Sequence, residues 1–328
     1  MGQRLANIAQ PLALVALCAV CAELLAAYSD NTGDPGATAF ALVFFSALYG
    51  APALLVRELV RRSGWGWPSL LLLCTALAVL QACIVDQSLF AQDYRGYDGW
   101  KENRAMLFLP GLGFGLNQAF AFISGHVIFS FAGPIAIAEA WRPRVAQRSW
   151  LGPIGMAIAA FVWLATAAAI LIDPASAHAS PAQFAGAWAV VVLLVLTAVR
   201  LGQRTARRAI SSRGGDRSIL ILAASFAVAV LGTLAGEGVT GLLVGLLSLI
   251  VGGFSILAVG RRFGWSPCDS AAVALGFLLS RGVFAFTYFP LLGEVEPAAK
   301  YAHNAVMLAA VAVAGIIALS RPPLRTPA

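Results

Sequence analysis

Four side chains that carry charge or titrate lie inside long apolar stretches of this sequence: Glu23, Asp86, His126 and Arg281. An ionisable group at bilayer depth costs at least about 2.5 to 3.5 kcal/mol, so each must face protein or water and needs a partner. Carboxylates and histidines can bind ions, ligate metals or exchange protons near neutral pH. These residues are therefore the first candidates for function.

We expect these groups to meet in one polar cavity, because the orientation argued below places them all in the exterior half of the membrane. His126 and Ser130 share one helical face, since they are four residues apart. The residues predicted to line the cavity are Glu23, Asp86, Gln87, His126, Ser130, Arg281, His303 and Asn304.

Arg281 requires a counter-charge in this cavity, and Asp86 is the first candidate and Glu23 the second. On its own helix, Arg281 has aromatic neighbours at i−4, i+3 and i+7 whose rings are expected to hold the guanidinium. These neighbours are Phe277, Phe284 and Tyr288.

Three roles remain open for the predicted cavity: a pathway for a solute or ion, a hydrogen-bonded network that fixes helix packing, and catalysis. Two histidines and two carboxylates are suitable metal ligands. The sequence has no H-E-x-x-H motif, however, and His126 lies far from His303. The spacing therefore does not favour a metal, and no cofactor is predicted.

The composition explains why polar residues are informative here. Of 328 residues, 60% are hydrophobic and only 11% are charged, whereas about a quarter are charged in a soluble domain. This excludes a disordered chain, a secreted disulfide scaffold and a cytosolic enzyme with one membrane anchor. The five cysteines all lie in or beside apolar segments, so we interpret them as small buried hydrophobic residues.

The elements that position these residues are ten apolar segments, each long enough to cross about 30 Å of hydrocarbon as a helix. Because lipid cannot satisfy backbone amides, each segment must be helical, which predicts an all-α polytopic membrane protein. The first segment follows Arg4 and is interpreted as a retained membrane helix, not as a signal peptide. The predicted spans are 11–28, 38–56, 67–90, 118–141, 150–172, 182–200, 218–236, 240–259, 268–290 and 301–320.

The distribution of basic residues gives the orientation. With the amino terminus inside, 17 of the 22 Lys and Arg residues fall in cytoplasmic segments. A missed or invented helix would reverse every later loop and destroy this asymmetry. Both termini are therefore predicted to be cytoplasmic, in the cell membrane. The net charge of +7 follows from this topology and does not indicate nucleic-acid binding.

Two connections divide the chain. Residues 1–201 hold helices one to six, with an exterior loop at 91–117 whose glycine-rich part could lie at the membrane surface or dip into the protein. A basic cytoplasmic linker at 202–217 is expected to contact anionic lipid. Residues 218–328 hold helices seven to ten.

An internal echo occurs at the start of two of these helices. Arg61-Arg62-Ser63-Gly64-Trp65 before helix three resembles Arg261-Arg262-Phe263-Gly264-Trp265 before helix nine. A parallel duplication of helices two to four and eight to ten would explain it. Alternatively, paired arginines and interfacial tryptophans are typical of any cytoplasmic helix start.

The charges at the end of helix two are interpreted as a cytoplasmic anchor. Arg57 and Arg61 share a face, and Glu58 can bond Arg62 at i+4. Glu139 at the inner end of helix four is expected to pair with residues close to it in sequence.

Helices two to four resemble a group of uncharacterised bacterial multispanning membrane proteins. The motifs are Arg57-Glu58-Leu59-Val60-Arg61-Arg62 through Gly64-Trp65-Gly66-Trp67-Pro68, Asp86-Gln87-Ser88-Leu89-Phe90, and Gly125-His126 through Pro134 to Glu139-Ala140. The resemblance implies a multispanning membrane protein and brings no activity with it.

A fainter similarity links Phe122-x-x-x-His126, with His303-Asn304 as a late histidine element, to the CAAX-type intramembrane proteases. That family's paired glutamates are replaced by Leu80-Gln81-Ala82-Cys83 in this chain. The similarity implies hydrolase chemistry, and the missing carboxylates argue against it.

The leading functional hypothesis is a permease-like protein that binds a small molecule or ion among helices one, three, four, nine and ten. The alternatives are a membrane-embedded enzyme, such as a metal-dependent hydrolase, and a non-catalytic accessory subunit with a protein partner. The lipid bilayer is the one expected partner common to all three hypotheses, and the sequence does not identify a substrate.

Overall fold

The computed structural model describes residues 2–205 and 217–320, and the protein is 78% helical. The α-helices are α1 (Gly2–Ala19), α2 (Pro35–Phe45), α3 (Ala51–Arg62), α4 (Trp67–Leu80), α5 (Trp100–Ala105), α6 (Leu116–Gly125), α7 (Gly133–Trp141), α8 (Pro153–Leu171), α9 (Pro181–Thr205), α10 (Ser218–Leu234), α11 (Gly238–Phe263), α12 (Pro267–Phe284) and α13 (Pro297–Leu319).

Four π-helical segments extend or join these α-helices. They are π1 (Val20–Leu24) after α1, π2 (Ser46–Gly50) between α2 and α3, π3 (Gln81–Val85) after α4, and π4 (His126–Ala132) between α6 and α7. Short 3₁₀ turns lie at Ser88–Phe90, Pro143–Val145, Pro174–Ser176 and Ala285–Thr287.

Eight helices in the described ranges are long and apolar enough to cross a membrane, and two shorter apolar helices accompany them. The eight are Pro35–Arg62, Trp67–Val85, Leu116–Trp141, Pro153–Leu171, Pro181–Arg204, Gly238–Phe263, Pro267–Thr287 and Pro297–Leu319, and the shorter two are Ile8–Leu24 and Ser218–Leu234. These ten helical segments coincide with the ten predicted spans. The prediction of an all-α polytopic membrane protein is confirmed, and the cytoplasmic location of both termini stays a prediction.

Local sequence signals explain where several helices begin. Asp34 caps α2 by accepting a hydrogen bond from a first-turn N–H, directly before Pro35 at the first helical position. At α12, Ser266 and Asp269 form a reciprocal capping box. Glu296 caps α13 in the same way as Asp34 caps α2. The chain thus enters these three helices with their first N–H groups partly satisfied.

The core of the protein lies among α1, α4, α7 and α12, whereas other helices present apolar side chains outward. Gly50 lets π2 approach α1, since a Cβ at Gly50 would lie 2.6 Å from the Cα of Val15. By contrast, Phe161 of α8 is 73% exposed and Phe254 of α11 is 69% exposed. Helices that are apolar on all sides and remain exposed are expected to face lipid.

The two predicted halves share one core, because α12 and α13 both pack against α7. Residues 206–216 of the predicted linker lie outside the described residues, and residues 202–205 continue α9. The division into 1–201, 202–217 and 218–328 therefore stays a prediction. All five cysteines are buried and free, in line with their predicted role as buried hydrophobic residues.

The glycine-rich part of the exterior loop forms a small hairpin. Strand β1 (Phe108–Leu109) pairs antiparallel with β2 (Phe114–Gly115). Leu112 at its tip is 52% exposed. The segment therefore lies at the surface of the protein and does not dip among the helices.

The two copies of the internal echo share a glycine of positive φ and differ in burial. Gly64 and Gly264 both follow a helix, with φ of 68° and 78°, where glycine is favoured. The preceding arginines differ, because Arg61 is buried and Arg261 is exposed. The duplication and the common pattern of a cytoplasmic helix start both stay predictions.

Candidate functional site

Glu23 lies on π1, where the helix has slipped from α to π hydrogen bonding. The slip is visible in the bond from the Leu25 N–H to the Val20 carbonyl, 2.8 Å across five residues. The Glu23 carboxylate accepts a hydrogen bond from the Tyr28 hydroxyl, and the Tyr49 hydroxyl of π2 is close enough to interact with it electrostatically. Such π segments occur frequently at functional sites.

Three of the four π segments meet around this carboxylate, because π4 packs against both π1 and π2. His126 of π4 lies 5.5 Å from Tyr49 between ring centroids. Its Nδ1 is 3.1 Å from the Ser130 hydroxyl, as the i+4 spacing predicts. His126 is half-buried and Ser130 is buried. The structure therefore brings Glu23, His126 and Ser130 into one region.

Asp86 adds a second carboxylate at the end of π3. It accepts hydrogen bonds from the Gln81 side chain at 3.1 Å and from the Ser88 N–H at 2.9 Å. Asp86 lies close enough to Glu23 and Tyr49 for direct electrostatic interaction with both. Two carboxylates from different spans thus influence one another electrostatically.

Arg281 supplies the positive charge of the region. Its Nη2 donates to the Ala22 carbonyl at 3.1 Å, and its guanidinium lies 4.3 Å from the centre of the Phe129 ring. Its Nε is buried without a hydrogen-bond partner. Arg281 interacts electrostatically with Glu23 and His126.

The expected pairing of Arg281 with Asp86 is not formed. Among residues 2–205 and 217–320, Arg281 has no ion pair within 4.0 Å, and its electrostatic partner is Glu23, the second candidate. The ring that holds the guanidinium is also different, since it is Phe129 of π4 and not a neighbour on α12. Packing between helices, which periodicity along one helix does not reveal, decides both partners.

We call Glu23, Tyr49, Asp86, His126 and Arg281 the π-segment cluster. Four aromatic side chains, which we call the aromatic cover, pack against one another on the side predicted to be exterior: Tyr28, Tyr94, Tyr97 and Trp100. The Tyr94 and Trp100 rings stack at 4.9 Å, and Tyr97 lies 5.7 Å from Tyr28. Tyr28 and the two loop tyrosines come from segments next to Glu23 and Asp86 in sequence. The cover therefore connects the loop to both carboxylates.

Gln87 is placed outside the cluster. Its side-chain oxygen accepts hydrogen bonds from the backbone N–H groups of His178 at 2.9 Å and Ala179 at 2.7 Å. It also adopts positive φ, 51°. Gln87 therefore holds the connection between α8 and α9, and its amide oxygen is already occupied.

His303 and Asn304 also serve backbone groups. His303 Nε2 donates to the Leu24 carbonyl at 2.9 Å, and its Nδ1 accepts from the Gly33 N–H at 3.3 Å. Because both ring nitrogens are used in this way, the imidazole is in its neutral form. Asn304 donates to the Ala285 carbonyl at 2.9 Å. These two residues satisfy carbonyls at the ends of π1 and α12 and lie beside the cluster without joining it.

The described part of the chain contains no group of three or more His, Cys, Asp or Glu side chains that could hold a metal ion. The two candidate histidines illustrate the reason. His126 bonds Ser130 on its own helix, whereas His303 bonds backbone beside π1. These donors do not converge on one point.

A second set of charges, the arginine–glutamate network, lies at the opposite end of the same spans. Glu139 of α7 accepts from Arg61 of α3 at 2.7 Å through both of its oxygens, and from Arg57 at 3.1 Å. Arg57 also donates to Glu58 at 2.5 Å and stacks on Trp150 at 3.5 Å. Glu58 and Arg57 are fully buried.

The network corrects one expectation. Glu139 does not pair with residues close in sequence, because α7 packs against α3 and brings it to Arg57 and Arg61. Arg57 and Arg61 are buried, and their role as a cytoplasmic anchor stays a prediction. The predicted i+4 bond from Arg62 to Glu58 is confirmed at 3.5 Å.

Comparisons with known proteins provide no family. No protein-family model, curated protein or solved structure matches the chain. The resemblances to uncharacterised bacterial membrane proteins and to CAAX-type proteases therefore stay predictions. The function must be argued from the geometry of the chain itself.

Sequence reasoning missed Tyr49 and Tyr28, which are central to the cluster. Tyrosine tolerates membrane interfaces and carries no charge, so it did not stand out against the apolar background. The available signals were weak. Tyr49 interrupts an apolar run next to Gly50, and Tyr28 follows Glu23 by five residues.

Proposed function

We propose that this chain is a permease-like protein of the cytoplasmic membrane, with both termini cytoplasmic, that binds a small polar solute or an ion at the π-segment cluster. The observation that carries the proposal is the unpaired state of its charges. Glu23, Asp86 and Arg281 are half-buried at membrane depth, and no two of them form an ion pair within 4.0 Å in the described ranges.

The two charged regions of the protein differ in a way that supports this assignment. In the arginine–glutamate network, Arg61 and Glu139 pair through two bonds of 2.7 Å, as expected of charges that stabilise packing. In the π-segment cluster, Arg281 keeps a buried Nε without a partner. Because an unsatisfied buried donor is costly, its retention favours a role in binding.

The charge balance of the cluster favours one class of solute. The cluster contains two carboxylates, Glu23 and Asp86, and one guanidinium, Arg281. A cation, or a small solute that carries a positive group beside an acceptor for Arg281, would complement all three. The aromatic cover adds ring faces that favour cationic groups.

Different groups are positioned to close the cluster at the two ends of the spans. The aromatic cover lies over the cluster, and the arginine–glutamate network ties α3 to α7 at the opposite end. The π segments between them weaken regular helical bonding at the level of the cluster. We infer that the solute enters past the cover, and that release on the other side requires the network to separate.

The test begins with the purified protein and a defined panel of amino acids, amines, organic acids and monovalent cations. Solutes that raise the unfolding temperature are then followed for uptake into proteoliposomes. Glu23→Gln and Asp86→Asn are expected to lose the stabilisation, whereas Glu294→Gln, at an exposed exterior position, retains it. Stabilisation that is equal in all three variants would contradict the proposal.

The two other interpretations, a membrane-embedded enzyme and an accessory subunit, stay predictions. An accessory subunit would co-purify with a stable protein partner and tolerate Asp86→Asn. A metal-dependent hydrolase would require ligands that the described residues do not bring together.

A further inference from the structure

The Glu23 carboxylate is held by a hydroxyl group and not by an ion pair. It accepts a hydrogen bond from Tyr28, and Tyr49 of π2 lies near it. In the part of the chain that the structure describes, it has no ion pair within 4.0 Å. A carboxylate in this setting resembles those that exchange protons in membrane transporters.

Two neighbouring phenols connect this carboxylate to the loop predicted to be exterior. The Tyr28 hydroxyl donates to Glu23, and the Tyr28 ring lies 5.7 Å from the Tyr97 ring between centroids. Tyr97 belongs to the cover segment and is half-buried, so part of it contacts solvent. The sequence of groups from solvent inward is therefore Tyr97, Tyr28 and Glu23.

Backbone bonds hold the two phenols in register. The Asp98 N–H donates to the Leu291 carbonyl at 3.2 Å, and the Leu291 N–H donates to the Tyr28 carbonyl at 2.8 Å. Leu291 thus joins Asp98, which follows Tyr97, to Tyr28 in the turn after π1. This arrangement fixes the phenols at 5.7 Å between ring centroids.

We propose that Glu23 is a proton-binding site and that Tyr97 and Tyr28 form its path from the exterior. The Tyr28 hydroxyl gives its proton to the Glu23 carboxylate and takes one from Tyr97, which takes one from a hydronium ion that becomes water. Both phenols end unchanged, and the carboxylate gains one proton. This inference rests on the proposed function and deepens it, because it names the proton as the coupled ion.

Several groups face Glu23 from the elements packed around it and will influence its protonation. They are Tyr28 beside π1, Tyr49 on π2, Asp86 after π3, His126 on π4, Arg281 on α12, His303 on α13, and Tyr94 and Tyr97 in the exterior loop. The charges of Asp86 and Arg281 both act on Glu23. Variants of Glu23 are therefore needed to separate its own contribution to proton uptake from that of its neighbours.

The experiment measures proton uptake by the purified full chain after a rapid drop in pH, using an indicator dye, without any solute. Glu23→Gln should take up one proton fewer than the parent protein. Tyr28→Phe and Tyr97→Phe should take up as many protons as the parent protein, but about a hundredfold more slowly. This factor is at the low end of the rate loss expected when a positioned proton carrier is removed. Tyr301→Phe, at a tyrosine outside the path, should match the parent protein.

Folding is monitored in parallel by size-exclusion chromatography, and Glu23→Asp provides a second variant that keeps a carboxyl group. Glu23→Asp should restore the missing proton. Unchanged uptake in Glu23→Gln, or parental rates in both path variants, would overturn the inference. Because no solute is present, this failure is distinguishable from failure of the solute-binding experiment.

Discussion

Arg61 and Glu139 form a two-point ion pair between α3 and α7, with Nε to Oε1 and Nη2 to Oε2 both at 2.7 Å. Both side chains are buried, and Arg57 shares the same carboxylate at 3.1 Å. The remaining donors of Arg61 reach the Trp65 carbonyl and the Gln147 side chain. Residues 78 positions apart are thereby fixed in one network.

Replacing Glu139 with Gln should destabilise the protein strongly. The change leaves two buried arginines with one carboxylate fewer, a loss of about 3 to 5 kcal/mol. Thermal unfolding in detergent measures it. The exposed Glu294→Gln is expected to shift stability by no more than about 0.5 kcal/mol. Equal unfolding temperatures for the two variants would contradict a stabilising role for the network.

Arg281 should couple to Glu23 and not to Asp86. The double variant Arg281→Ala with Glu23→Gln is expected to be non-additive in stability, because the two groups interact electrostatically. The double variant Arg281→Ala with Asp86→Asn is expected to be closer to additive. A double-mutant cycle on unfolding checks both pairs. The reverse order would show that Asp86 is the counter-charge after all.

The sequence predicts the spans well, because a long apolar segment in lipid has no alternative to a helix. It also identifies Glu23, Asp86, His126 and Arg281, since charged groups at bilayer depth are rare and need shelter. The structure brings these four together. Their use in binding is the proposal made above.

The partners of these residues could not be predicted, because they depend on how helices pack. Arg281 contacts Phe129 of another span, and Glu139 reaches α3. His303 looked like a cavity residue but serves backbone carbonyl and amide groups at a helix break. Periodicity shows which residues share a helix face, and it does not show which helix lies opposite.

His303 should matter for stability without affecting proton uptake. His303→Ala removes hydrogen bonds to Leu24 and Gly33, at a cost of about 1 to 3 kcal/mol for the groups left unpaired. The neutral imidazole already uses both ring nitrogens in hydrogen bonds, so we do not expect it to take up a proton. Proton uptake by the folded fraction of His303→Ala is therefore expected to match that of the parent protein. Thermal unfolding and indicator-dye uptake measure the two effects. A loss of uptake without loss of stability would place His303 in the site.

Tyr94 and Tyr97 of the exterior loop should ionise at a higher pH in the folded protein than in the unfolded chain. Burial raises the pKa of both Tyr94 and Tyr97; the negative charge of Asp86 acts in the same direction on Tyr94, and that of Glu23 acts in the same direction on both. Tyrosinate absorbance should therefore appear at higher pH in the folded protein than in the unfolded chain. Because the neutral form is favoured in the folded state, stability is full below the ordinary phenol pKa of about 10 and falls as pH rises above it.

Ultraviolet titration of the parent protein and of Tyr94→Phe and Tyr97→Phe checks this prediction. Each variant should lose part of the late-ionising signal. If the folded and unfolded chains titrate together, the cover does not bury these phenols.

The central claim is that the π-segment cluster is a binding site reached from the exterior, and cysteine labelling in proteoliposomes tests it most directly. In a background without the five native cysteines, His126→Cys is treated with an impermeant thiol reagent. Thr287→Cys and Ser63→Cys, both exposed, mark the predicted exterior and cytoplasmic sides. The account predicts that His126→Cys and Thr287→Cys react from outside, and that a solute which stabilises the protein protects only His126→Cys. Labelling of His126→Cys from the cytoplasmic side, which Ser63→Cys marks, would contradict the claim. Labelling of His126→Cys that no stabilising solute reduces would also contradict it.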